Sequence, residues 1–82
     1  MMISAQIAVY PLRQERLAPA VHAVSGALTA RGLAASVGPM STLVTGELDA
    51  VLDGLREAFR AAAETGDVVM TVTLSNACPA GA

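Results

Sequence analysis

The sequence predicts a single α+β domain with six elements in the order βαββαβ. Two short runs, residues 3–10 and 68–75, alternate in polarity with the period of a β-strand. Between them, at 15–31 and 48–64, the larger apolar residues recur at helical spacing. A chain of 82 residues has room for one domain, which we assign to 1–82, and not for two.

The first strand and the first helix have clear boundaries. Pro11 follows the run ISAQIAVY and closes the strand, because proline has no N–H to donate to a sheet. Pro19 is tolerated only in the first turn of a helix, so the helix should begin near residue 16 or 17 and end before Gly32. Its predicted apolar stripe is Leu17, Val21, Val24 and Leu28.

The second half repeats this pattern with shorter strands. Strands are predicted at 34–39 and 41–46, with a break at Gly38 and Pro39, and a helix follows from 48 to 64. The run VVMTVTLS forms the last strand. The predicted core stripe of the second helix consists of Leu48, Val51 or Leu52, Leu55, Phe59 and Ala62.

This order of elements predicts a ferredoxin-like sandwich, a four-stranded antiparallel sheet with two helices on one face. Right-handed crossovers would place the first and last strands side by side at the centre of the sheet. The opposite, open face would then carry uncharged polar side chains, which are Gln6, Tyr10, Thr71, Thr73 and Ser75. Such a face predicts packing against a second sheet, a pocket for a small neutral ligand, or both.

Composition and charge exclude several classes of protein. The net charge is −2 and the five basic residues are scattered, so neither a nucleic-acid interface nor a polybasic membrane contact is expected. We also expect no transmembrane helix and no signal peptide, and therefore a cytoplasmic protein. The charged fraction of 15%, against about 25% in typical domains, favours a homo-oligomer.

Residues that could support catalysis or bind a metal are isolated from one another. His22 lies on the first helix with no carboxylate placed to orient it, which favours a solvated histidine over a general base. Cys78 has no basic neighbour to lower its pKa and no second cysteine with which to bind a metal. We therefore predict no enzyme, no metal site and no cofactor.

A binding function is better supported. Hydroxyl, amide and carboxylate groups fall at the ends of predicted strands, and these groups suit an uncharged heterocycle with donor and acceptor edges. Serine, threonine and asparagine at strand ends also cap turns, so that alternative stays open. One cluster consists of Ser41, Thr42, Thr45 and Glu47, and the other of Ser75, Asn76 and Cys78.

Three segments of the chain together resemble the YkoF-like thiamine-binding proteins. They are SAQIAVYPL, GPMSTLVTGELDAV and VVMTVTLSNACP, and they span nearly the whole sequence. The resemblance implies a ferredoxin-like domain that binds thiamine or its hydroxymethylpyrimidine moiety without catalysis. Carried over by position, it implies a ligand site built from Ser41, Thr42, Glu47, Ser75 and Asn76, to which we add Gln6 and Tyr10 from the open face.

The resemblance also has consequences for assembly. Some relatives carry two such repeats in one chain, so a single repeat would pair with itself as a homodimer or a dimer of dimers. No pair of arginines is placed to hold a diphosphate, so we expect unphosphorylated thiamine or its pyrimidine, in a carrier or salvage role. The alternative is a structural or regulatory oligomerisation module that binds no thiamine.

Overall fold

A computed structural model of the chain describes residues 1–77, in which four antiparallel strands and two helices confirm the predicted ferredoxin-like fold. The strand order in the sheet is β2-β3-β1-β4. No helix within these residues is long and apolar enough to cross a bilayer. The elements are β1 (Met2–Pro11), α1 (Ala18–Ala30), β2 (Ala34–Val37), β3 (Thr42–Glu47), α2 (Leu48–Ala63) and β4 (Val68–Ser75).

The position of β4 differs from the prediction. The first and last strands are neighbours, as predicted, but β1 and β3 occupy the centre and β4 forms an edge. Each βαβ crossover skips one strand, so β3 lies between β1 and β2, and β1 lies between β3 and β4. As a result, Val72 and Leu74 of β4 face the helical side of the sheet and are still 38% and 46% exposed.

The core lies between the sheet and the helices. In β1 the residues predicted to face inward, Ile3 to Val9 in alternation, are all buried. Helix α1 ends where Gly32 adopts a φ of 76°, which lets the Leu33 N–H donate to the Leu28 carbonyl. The buried side chains of α1 are Ala20, Val24 and Leu28.

Helix α2 packs through a narrower stripe than the sequence suggested. Its buried residues are Val51, Gly54, Ala58 and Ala62, whereas Phe59 is 47% exposed. The prediction of Phe59 as a core residue was therefore wrong. Because successive residues are 100° apart on a helix, the stripe through Ala58 and Ala62 turns Phe59 to the flank of α2.

Small residues allow α2 to approach α1 and the sheet closely. A Cβ atom added to Gly54 would lie 2.6 Å from Cδ1 of Leu33, and one added to Gly46 of β3 would lie 3.1 Å from Cδ2 of the same side chain. Leu33 is 8% exposed. Its two methyl groups therefore pack directly against the backbone of α2 and of β3.

Candidate functional site

Three of the predicted site residues meet on the open face of the sheet. The β1–β4 register places Gln6 beside Thr73, and Tyr10 lies on the same face of β1. The Gln6 Nε2 group donates a hydrogen bond to Ser41 Oγ at 3.2 Å, which ties β1 to the β2–β3 turn. Together they border a depression of about 330 Å³, which we call the open-face hollow; its lining is Gln6, Ala8, Tyr10, Met40, Ser41, Thr71 and Thr73.

A second, more apolar cavity lies on the helical side of the same turn. It has a volume of about 230 Å³, and we call it the α1 cleft because Leu17 and Val21 form one wall. A hydrogen bond of 2.8 Å from the Gly38 N–H to the Ser41 carbonyl holds the turn in place. The full lining is Ile7, Val9, Tyr10, Leu17, Val21, Val37, Gly38, Pro39, Met40, Ser41 and Thr42.

Thr42 belongs to the α1 cleft and not to the open face. It pairs with Ile7 in the sheet, so its side chain points toward the helices, and it is only 4% exposed. Its hydroxyl makes no hydrogen bond within residues 1–77, and no fully enclosed side-chain oxygen or nitrogen there lacks a partner. The Thr42 hydroxyl must therefore touch solvent, and the α1 cleft is the opening that it lines.

The remaining predicted residues lie at the opposite end of the sheet. Glu47 pairs with Met2 in the register, six positions along the strand from Ser41, or about 20 Å at the rise of a β-strand. Ser75, the last residue of β4, pairs with Ser4, and Asn76 follows it. The structure thus does not bring these three residues together with Gln6, Tyr10 and Ser41.

Glu47 and Ser75 already have local partners. The Glu47 carboxylate accepts a hydrogen bond of 2.7 Å from the Met1 ammonium, which holds the pKa of that carboxyl below its ordinary value of 4.5. The Ser75 hydroxyl accepts a hydrogen bond from the Ala77 N–H at 3.0 Å, the turn-capping role that the sequence left open. Their contact with a ligand stays a prediction.

Sequence reasoning missed the apolar wall of the α1 cleft. The helical spacing predicts Leu17 as part of a core stripe, yet this side chain is 52% exposed at the mouth of the cleft. Thr71 and Thr73 line the open-face hollow but are not among the predicted site residues, although the alternation of β4 predicts them on the same face of the sheet as Gln6. Val37 gave no signal, because its place in the cleft depends on the turn that follows it.

The chemistry of both cavities is neutral. Neither is lined by a charged side chain, and their polar groups are hydroxyls and one amide. Within residues 1–77 no cluster of three acidic, histidine or cysteine side chains could hold a metal ion. His22 is exposed on α1, and Cys78 lies outside the described residues. This arrangement suits binding of an uncharged ring that offers hydrogen-bond donors and acceptors.

Comparison with known proteins agrees with this description. The chain is similar to a solved protein from Streptococcus pneumoniae, with 28% identity, a TM-score of 0.81, and coverage of 92% of this chain and 86% of that one. It is also similar to a candidate thiamine biosynthesis/salvage protein from Thermotoga maritima, with 22% identity, a TM-score of 0.80, and coverage of 92% and 83%. At 22% identity the second likeness shows the fold alone.

A family model decides the wider relationship. No protein among those with curated functions matches the chain. The model of the thiamine-binding protein family matches residues 5–76, which include both cavities and five of the six elements in full. The chain therefore belongs to the thiamine-binding protein family.

Proposed function

We propose that the protein binds thiamine or its hydroxymethylpyrimidine moiety without catalysis, as a cytoplasmic carrier or salvage accessory. The observation that carries this proposal is the meeting of Gln6, Ser41 and Tyr10 at the open-face hollow. An aminopyrimidine presents adjacent donors and acceptors, which match an amide and a hydroxyl 3.2 Å apart. The phenol ring of Tyr10 offers an aromatic surface beside them.

The charge of the site supports an unphosphorylated ligand. A diphosphate is bound by arginine, lysine, a metal or a row of backbone N–H groups. No arginine lines either cavity, and the chain contains no lysine. Thiamine and its free pyrimidine should therefore bind more tightly than thiamine diphosphate.

Calorimetric titration with thiamine tests the proposal directly. The Ser41→Ala variant should raise Kd by about fivefold, the effect of one hydrogen bond. Ser36→Ala is the matched control, because Ser36 is an exposed strand serine outside both cavities. A thiamine site at this hollow would be refuted if the folded wild-type protein did not bind thiamine, or if Ser41→Ala and Ser36→Ala lost affinity equally.

We also propose that the chain forms a homodimer, or a dimer of dimers, through the open face of its sheet. This face exposes three large side chains, each 45–52% accessible, which are Tyr10, Leu43 and Val69. A charged residue, Glu47, lies at one end of the face. The molecule measures 37 by 21 Å along its two longer axes, which corresponds to a face of about 800 Å². Each partner contributes about this area to a stable protein–protein interface.

Sedimentation distinguishes this assembly from a monomer. Leu43→Glu would place a charge in the middle of the proposed interface and should yield monomers, whereas the same change at Leu12, outside the sheet, should not. A face with its charge confined to Glu47 at one end would also suit a structural or regulatory oligomerisation module. That alternative predicts the same sedimentation result with no thiamine bound.

A further inference from the structure

We propose that the α1 cleft is the inner half of the ligand site. It takes the neutral pyrimidine ring, with the Thr42 hydroxyl as its hydrogen-bond partner, while the rest of the ligand stays at the open-face hollow. This inference rests on the proposed function and goes beyond it, because it assigns the ring of the ligand to the helical side of the sheet.

The Thr42 hydroxyl is the first argument. Buried polar groups in folded proteins nearly always have a hydrogen-bond partner. Thr42 is 96% buried as a residue and its hydroxyl has no protein partner within residues 1–77, so the hydroxyl meets solvent where it lines the cleft. Valine would fill the same position in the sheet without presenting a polar group to the cleft. A ligand atom in the cleft would replace solvent as the hydrogen-bond partner of this hydroxyl.

The size of the cleft is the second argument. Its volume of about 230 Å³ lies below the range of about 300–1,000 Å³ in which proteins enclose whole drug-sized ligands. The space corresponds to several water molecules at about 30 Å³ each, enough for one substituted ring. The remainder of a two-ring ligand would have to lie outside, and the open-face hollow provides a further 330 Å³.

The shared border is the third argument. Tyr10, Met40 and Ser41 line both cavities, so a ligand that crosses this border touches polar groups on one side and apolar walls on the other. A positively charged ring would lose hydration in the apolar cleft without gaining a carboxylate there. The neutral pyrimidine therefore enters the cleft, and the cationic thiazolium stays on the open face.

Two pairs of variants test this assignment by calorimetry with thiamine and with free hydroxymethylpyrimidine. Thr42→Val should raise the Kd of both by about fivefold while the melting temperature stays the same or rises, and Thr42→Ser should bind nearly as the wild type. Leu17→Trp should weaken binding by obstructing the mouth of the cleft. Leu52→Trp is its control, since Leu52 is a comparably exposed helical leucine away from both cavities.

The outcomes separate this inference from the proposed function. If Thr42→Val and Leu17→Trp bind both ligands as tightly as the wild type while Ser41→Ala binds more weakly, the ring does not enter the cleft and the thiamine site stands. If the wild type binds neither ligand, both proposals are wrong. Should Thr42→Val prove less stable than the wild type, the comparison of Leu17→Trp with Leu52→Trp decides.

Discussion

The close packing of α2 against Leu33 gives a quantitative prediction for Gly54→Ala. The new Cβ would lie 2.6 Å from Cδ1 of Leu33 and 3.2 Å from Cδ2 of Leu28. Leu33 has little freedom to withdraw, because its other methyl already lies close to Gly46 of β3. Overpacking of this kind costs about 1–3 kcal/mol. Alanine in place of glycine inside a helix gains about 1 kcal/mol, so we expect a net loss of roughly 1 kcal/mol.

Gly26→Ala is the matched control. Gly26 lies inside α1, and a Cβ there would meet nothing within 4 Å. This variant should therefore gain the full difference in helix propensity between alanine and glycine, and its free energy of unfolding should rise by about 1 kcal/mol. The two substitutions are chemically identical, yet we expect their stabilities to differ by about 2 kcal/mol, or roughly 8–16 °C in melting temperature.

Urea unfolding followed by circular dichroism, at one fixed protein concentration, measures this difference. Equal stabilities of Gly54→Ala and Gly26→Ala would refute the close approach of α2 to Leu33. A further check uses the Leu33→Ala background, in which the closest methyl group is gone and only Cδ2 of Leu28, at 3.2 Å, stays near the new Cβ. There Gly54→Ala should become stabilising, as Gly26→Ala is in the wild type.

Three further predictions concern single side chains. The pKa of Glu47 is lowered in the folded protein, so its ionised carboxylate stabilises the fold above its ordinary pKa of 4.5. This stabilisation is lost as the pH falls through the lowered pKa. The free energies of unfolding of Glu47→Gln and of the wild type, measured by urea titration, should therefore converge at acid pH. Tyr10 is the chain's one tyrosine and there is no tryptophan, so thiamine bound beside Tyr10 should change the protein's fluorescence. Binding seen by calorimetry with unchanged fluorescence would mean that the site lies away from Tyr10. The Glu57 carboxylate forms ion pairs with Arg31, the residue that follows α1, at 3.6 Å, and with Arg56 and Arg60 of its own helix. Glu57→Gln should therefore lower the free energy of unfolding by less than about 1 kcal/mol, a loss that high salt abolishes; a loss that persists in high salt would contradict solvent-screened ion pairs.

The sequence predicted local structure well because alternation and helical spacing are local properties. The bounds of β4 were predicted as 68–75 and match the structure, since every second residue is apolar there. Its place at the edge was not predictable from that pattern. Val72 and Leu74 look like core residues in the sequence, but α2 leaves them partly uncovered.

The site was predictable only in part, for the same reason. Alternation in β1 placed Gln6 and Tyr10 on the open face, which the register supports. The contact of Gln6 with Ser41 depends on how β1 and β3 are aligned, and residues 35 positions apart carry no local signal of it. Thr42 is adjacent to Ser41 in sequence, yet the pleat of the strand turns it to the other side of the sheet.

The edge position of β4 also affects how the protein behaves in concentrated solution. Within the described residues this strand pairs with β1 alone, and it carries no charge and no proline. Natural sheets commonly protect such an edge with a lysine, a proline or a bulge, because an unprotected edge can recruit a strand from an unfolded chain. Leu74→Lys would add such protection at a position outside both cavities, and should slow aggregation on heating without altering ligand binding.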